Sequence, residues 1–291
     1  MPGFTSQDDL TAEMSVAGKR LICPFNKTAT TGPVGANWYH LWTVGGMPAA
    51  GATYPGVALA FQQTTDTTVG ALYTGGNKLP DYKDLIYMNG MANSGSPPPT
   101  IWLVDQVGYY PLTQSAVAQV FDNTTPPNRY VTVGQGGLQM SLVGAAAGGA
   151  TASNITTLTY VDQDGNPGAT MPTSPAVAVT VSVAAPTSTL GSRVLTTVGG
   201  PFLPLMAGDS GVQQLTNITF SAANTGLEAI VLVRPLAVLP LPQALTYGER
   251  DLVNQIASLE RVYDGACLMF MVYFATSTGT NIMGEVDVAW G

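Results

Sequence analysis

Charge is what this chain has least of. Only 28 of its 291 residues carry a formal charge, a share of 10% against roughly 25% in an average soluble domain. The ten basic residues are scattered singly apart from Lys19–Arg20, and the net charge is −8 with a pI near 4.4. A phosphate-binding surface needs clustered Lys and Arg, so no nucleic-acid partner is expected. Histidine occurs once and cysteine twice, which leaves no transition-metal cluster and one disulfide at most. Cys23 and Cys267 lie far apart with no ligand spacing, and both are expected as buried free thiols. No uninterrupted apolar run approaches about 18 residues, so no membrane span is expected. The N-terminal MPGFTSQDDL carries an acidic pair where a signal peptide would have basic residues and an apolar core. No P-loop or dinucleotide fingerprint occurs, so no cofactor is expected.

Apolar residues are plentiful, at 45%, enough for a large core. Threonine, at 35 residues, outnumbers all charged side chains together. The polar surface must therefore be built from hydroxyls and amides, and a surface so poor in charge favours association. The length suggests about two domains. The small, uncharged stretch Gly144–Ser153 is the natural boundary, separating a β-rich region 1–145 from a second β-rich region 154–291. The two regions stand apart or pack as one.

The densest apolar run is Leu227–Leu241, LEAIVLVRPLAVLPL, read as a strand covered on both faces. Pro235 has no N–H for a ladder, so its pairing should end near Arg234. Ser6–Ala17 reads as a short helix capped by Ser6, with Leu10, Met14 and Ala17 on one face. It either packs on its own domain or grips a neighbour. Strands are expected at Arg20–Phe25, Asn37–Val44, Val57–Gln62, Asp84–Met88, Ile101–Val107, Ile155–Val161, Asn217–Ala222 and Cys267–Phe274. Tyr130–Val133 and Leu138–Val143 flank GQGG as a hairpin. Val177–Val183 alternates most cleanly, and the last strand puts Ile282, Gly284, Val286, Val288 and Trp290 on one face with Glu285 and Asp287 on the other. A second helix is expected over Glu249–Leu259, capped by Gly248. Many short strands between Gly/Pro turns make the chain mainly β: a sandwich of jelly-roll type with two short helices.

Candidate chemistry is sparse. Gly208–Gly211, GDSG, matches the core of a serine-protease nucleophile motif, and His40, Asp105 and Ser210 occur in the right order for a triad. Val212 stands where a second glycine is usual, and WYHLW does not match that family's histidine motif, so a loop turn is the expected reading of Ser210. Asp162, Asp164 and Asn166 imitate the start of an EF-hand loop, but Pro167 and Thr173 occupy its glycine and closing acidic positions. A turn is expected there. Asn26, Asn123, Asn154 and Asn217 sit in N-x-T patterns that threonine abundance explains. Arg234 reads as a core-edge residue. Trp38, Tyr39 and Trp42 read as core or subunit contact rather than a sugar platform. No catalytic, cofactor-binding or metal residues are assigned.

The segments GVALAFQQTTD, IWLVDQVGYYP, GPFLPLMAGDSGVQQL, GERDLVNQIASLERVYDGACL and VDVAWG resemble a family of structural proteins of tailed bacteriophages. The resemblance spans nearly the whole chain, and its motifs are structural punctuation rather than catalytic signatures. It implies a non-enzymatic virion protein assembled in the host cytoplasm: a head decoration or cement protein, or a minor capsid protein. The partners implied are the major capsid protein and further copies of the chain, with a trimer the expected oligomer. A tail or fibre protein binding a host receptor is the alternative, and a hydrolase using Ser210 the minor one.

Overall fold

The computed structural model describes residues 4–15, 19–29, 33, 35–94, 97–113, 115–133, 136–144, 154–170, 192–195, 200–223, 227–255 and 259–291. In chain order its strands are β1 (Arg20–Ala29), β2 (Asn37–His40), β3 (Gly46–Met47), β4 (Gln62–Gln63), β5 (Lys83–Ala92), β6 (Thr100–Pro111), β7 (Gln119–Val120), β8 (Gln139–Gly144), β9 (Ile155–Asp162), β10 (Pro167–Thr170), β11 (Ser192–Val194), β12 (Val212–Phe220), β13 (Leu227–Pro240), β14 (Gly248–Asp251), β15 (Glu260–Val262), β16 (Leu268–Phe274) and β17 (Thr280–Trp290). The helices are α1 (Gln7–Ser15) and α2 (Leu252–Gln255). The chain is mainly β with two short helices, as its turn-punctuated sequence leads one to expect.

The strands stack in three layers. The middle layer is a ring: β13, β8, β11, β2, β16 and β6 pair in sequence, and β6 closes back onto β13. This small antiparallel barrel has its own interior core of Trp42, Val104, Val143, Val194, Val231, Val233, Met269 and Met271. Alternate residues of the same strands point outward, because side chains alternate faces along a strand. On one side Leu103, Leu239, Leu268 and Phe270 meet a sheet ordered β14-β5-β17-β1-β3, through Phe25, Leu85, Met88 and Val286. The Phe25 and Phe270 rings lie 4.3 Å apart across that seam. On the other side Met140, Leu142, Ile230 and Leu232 meet a sheet ordered β10-β9-β12-β7, through Leu158, Tyr160, Leu215 and Ile218. Each fully buried aliphatic side chain contributes roughly 1.5–3 kcal/mol to this stack.

β13 serves all three layers. Ala229, Val231 and Val233 face the barrel interior, Ile230 and Leu232 one sandwich seam, and Leu236 and Leu239 the other. The expected end of pairing at Arg234 holds on one edge only. The ladder to β8 stops at Val233–Gln139, whereas the ladder to β6 continues through Pro235 to Pro240–Thr100. A bulge between Pro235 and Ala237 absorbs the irregular geometry, the usual accommodation of proline in a sheet.

Other expectations are corrected. Of Val57–Gln62 only Gln62 lies in a strand, at the start of β4, and Leu59 has a positive φ of 67°. Tyr130–Val133 forms no strand, and Leu138 exchanges two backbone bonds with Val212 instead. The helix expected over Glu249–Leu259 is broken. Gly248–Asp251 pairs as β14 with Gly90–Tyr87, Asp251 caps α2 through the N–H groups of Val253 and Asn254, and Glu260–Val262 is β15. Sheet pairing at both ends outweighs the local helical pattern. Asp287 is fully buried rather than solvent-facing, because it pairs with Arg20 of the adjacent strand. The N-terminal helix packs on its own chain, Leu10 lying against Ile86 and Ala289. Val177–Val183 and residues 145–153 lie outside the described residues.

Candidate functional site

His40, Asp105 and Ser210 are not assembled. His40 and Asp105 sit on strands flanking β16, opposite Met271 and Leu268. Three residues along a strand reverse the face, so the two side chains point to opposite sides of the sheet. The Nδ1 of His40 lies 2.6 Å from the Tyr54 hydroxyl. Burial, with help from the nearby Lys27 charge, depresses its pKa to about 3. Both oxygens of Asp105 accept from Arg129, at 3.0 and 2.8 Å, and one also accepts the Cys267 N–H. Ser210 is an exposed loop residue whose N–H is bonded to Gln163.

The EF-hand imitation is a turn. The Oδ1 of Asp162 accepts the backbone N–H groups of Asp164 and Asn166, and Asn166 Nδ2 also donates to its carboxylate. These bonds, with the Asn166 side chain first, hold the Asp162 carboxyl below the usual range. No cluster of three or more His, Cys, Asp or Glu side chains suited to a metal occurs among the described residues. Both cysteines are free and buried, and burial pushes the Cys23 thiol up to about 12. Arg234 is half-buried at the core edge, donating to Gly137 O at 3.4 Å. Tyr39 and Trp42 are core residues, and Trp38 is half-buried against Trp102 and Tyr273. The Asn123 amide is consumed between the Tyr110 hydroxyl and Leu215 O.

Sequence reasoning missed two buried lysines. Lys27 alternates with Cys23, Phe25 and Ala29 on the inward face of β1, and that period-two register is the signal that marks it. Its ammonium donates to Val44 O at 3.1 Å and Pro48 O at 2.8 Å, and burial lowers its pKa to about 8. Lys83 donates to Gly76 O at 2.8 Å and Thr74 Oγ1 at 3.2 Å. Both tie loops to the first sheet.

One surface feature among the described residues with the form of a binding site is an apolar groove of about 330 Å³. Leu21, Ile22, Cys23 and Pro24 of β1 form one wall, and Met47, Pro48, Ala71, Leu72 and Tyr73 the other. Ile22 and Met47 are each 48% exposed and Tyr73 60%. One edge of β1 is paired along its length with β17, while β3 covers the other only at Asn26 and Lys27. Among the described residues nothing pairs with that edge from Arg20 to Phe25. Its backbone groups and its apolar lining suit protein contact. The lining carries no carboxylate or basic side chain, and burial keeps its one thiol, Cys23, protonated.

No protein-family profile and no curated protein matches the chain. Among solved structures it is similar to the infectious bursal disease virus VP2 subviral particle, at 10% identity and a TM-score of 0.19 over 93% of this chain and 80% of that one. A structure of the infectious bursal disease virus Gt strain gives 10% identity and a TM-score of 0.18 over the same shares. Likeness at this level assigns neither a fold family nor a role.

Proposed function

We propose that this protein is a non-enzymatic structural component of a virion, a decoration or cement protein that stabilises a phage head by bridging capsid subunits. The observation that carries the reading is a surface suited to protein contact: an apolar groove beside an unpaired strand edge in a chain with 10% charged residues. Stable interfaces bury roughly 1,200–2,000 Å² around charge-depleted centres. The resemblance of segments such as Gly200–Leu215 and Gly248–Leu268 to phage structural proteins supplies the setting. The acidic balance suits an outer surface rather than a DNA-facing one. The partners are the major capsid protein and further copies of the chain, with a trimer as the expected assembly.

Heads lacking the protein should still assemble and should release DNA on heating or osmotic shock under milder conditions than complete heads. Purified protein added back should restore resistance. Exposed tyrosines in loops, Tyr73 and Tyr247, favour a receptor-binding tail or fibre protein as the second reading. Depleted particles with unchanged resistance but lost attachment to cells would support it. Ser210→Ala should leave assembly and infectivity intact, and loss of either with the fold preserved would argue for the hydrolase.

A further inference from the structure

The groove sits where one more strand would fit. β3 runs beside β1 for two residues and ends at Met47, and beyond it no strand among the described residues pairs along that edge of β1, the lane an added strand would take. The backbone of β1 shows which groups face that lane. Lys19 O accepts from Trp290 N on the β17 side, and Thr28 N donates to Gly45 O on the β3 side. In an extended strand a residue's N–H and C=O point the same way and alternate along the chain. Odd-numbered residues of β1 therefore face β17, and Arg20, Ile22 and Pro24 face the open lane. The lane presents the N–H and C=O of Arg20 and Ile22 and the C=O of Pro24. Pro24 has no N–H to leave unsatisfied, which is where an edge strand tolerates proline.

This edge is complementary to itself. We propose that a second copy of the chain docks here, its own β1 running antiparallel along the open edge about a two-fold axis at Ile22. In that register the two Ile22 residues exchange both N–H···O=C bonds. Each Arg20 N–H donates to Pro24 C=O of the other copy, giving four bonds. Only the Arg20 carbonyls stay open, at the ends of the contact. The two half-exposed Ile22 side chains come side by side, and the apolar wall of Met47 and Tyr73 closes over the added strand. The two nearest basic side chains, Lys19 just before β1 and Arg20 at its start, do not oppose the approach, because each is paired with an acid, Asp81 and Asp287. A symmetric two-fold contact is the commonest way copies associate. It makes pairs, so in a three-fold assembly it joins neighbouring trimers rather than closing one. The inference rests on the reading of this protein as an assembling structural component and names the copy-to-copy contact.

Sedimentation velocity and native mass spectrometry of the purified protein test it. Wild type should pass to a higher oligomer as concentration rises. Ile22→Lys, which sets two charges together on the axis, should weaken that step at least tenfold. Ile22→Cys in a Cys23→Ser background should oxidise to a covalent dimer, because directly opposed hydrogen-bonded residues have Cα atoms about 5.5 Å apart, within disulfide reach. Ile22 is half-exposed, and unchanged circular dichroism and Tm would show that the variants fold. Wild type that stays a single monomer at every concentration overturns the inference, as does association that Ile22→Lys leaves unchanged or Ile22→Cys that does not cross-link. Binding of the same variants to depleted heads separates the two ideas. Heads protected equally by wild type and Ile22→Lys, with no self-association, would sink this contact and leave the cement reading standing. Self-association through Ile22 with no binding to heads would do the reverse.

Discussion

Arg129 and Asp105 form the one ion pair among the described residues in which both side chains are almost wholly buried. Burial alone would lower the Arg129 pKa, but the Asp105 carboxylate outweighs it and holds the guanidinium charged. Arg129 also donates to Thr64 O and Gln106 O, so one side chain pins Thr64, just past β4, to the middle of β6. Removing one partner strands a buried charge. Arg129→Met should cost about 3–5 kcal/mol in chemical denaturation, and Arg129→Met with Asp105→Leu should recover part of that loss. His40 sets a different test. The unfolded chain takes up a proton near pH 6.5, whereas the buried imidazole refuses it until about pH 3. Its contribution to stability is complete above pH 6.5 and is lost progressively as pH falls through that window, reaching about 2 kcal/mol by pH 5. His40→Gln should flatten the stability–pH curve between pH 6.5 and 4 relative to wild type, and parallel curves would contradict the assignment. Neither role was legible in the sequence. Asp105 and Arg129 are 24 residues apart with no shared motif, and a lone histidine in WYHLW gives no sign that it faces a barrel interior.

At the scale of elements, the sequence was legible wherever one face of a strand is buried and alternation survives. β1, β16 and β17 are found because apolar residues recur there at period two or in an unbroken run; β9 is found over Ile155–Val161, and β12 only in part, since Asn217–Ala222 is expected where Val212–Phe220 forms. It was illegible where pairing depends on distant partners. β14 and β15 look helical because Leu252, Ile256 and Leu259 share a helical spacing, yet their ladders to β5 prevail. Gly284 is a further case, read from sequence simply as a member of the apolar face. A Cβ there would lie 2.1 Å from Asn89 O and 2.6 Å from Gly90 Cα, so β5 and β17 approach too closely for any side chain. The obstruction is backbone and cannot rotate away. Gly284→Ala should destabilise the fold by about 1–3 kcal/mol. An equal substitution at Gly168, where nothing lies within 4 Å, meets only the strain of a φ of +87°. A Gly284→Ala protein unfolding with the wild-type midpoint would refute the close packing of these strands.

At the scale of the molecule, the two halves of the chain are woven together. β1 from the N-terminal region pairs along ten residues with β17 from the C-terminal end, and β5 pairs with β17, β14 and β15. The barrel takes β2, β6 and β8 from the first half and β11, β13 and β16 from the second, so neither half can close it alone. β7, in the first half, edges a sheet otherwise built from the second. A fragment 154–291 would keep β13 and β16 but lose β6, the strand that joins them, and would strip Leu239, Phe270 and Val286 of their partners Phe25, Leu85 and Met88. Burial worth roughly 1.5–3 kcal/mol for each such side chain would be lost several times over, against a total stability of only about 5–15 kcal/mol for a typical domain. The intact protein should therefore unfold in one cooperative transition, with fluorescence and far-ultraviolet circular dichroism giving the same midpoint. Fragments 1–145 and 154–291 expressed separately should lack fixed tertiary structure, and mixing them should restore native-like spectra if each retains its share of the ladders. Two resolved transitions, or either fragment folding by itself, would show that the halves are independent units and that the ladders joining them contribute little.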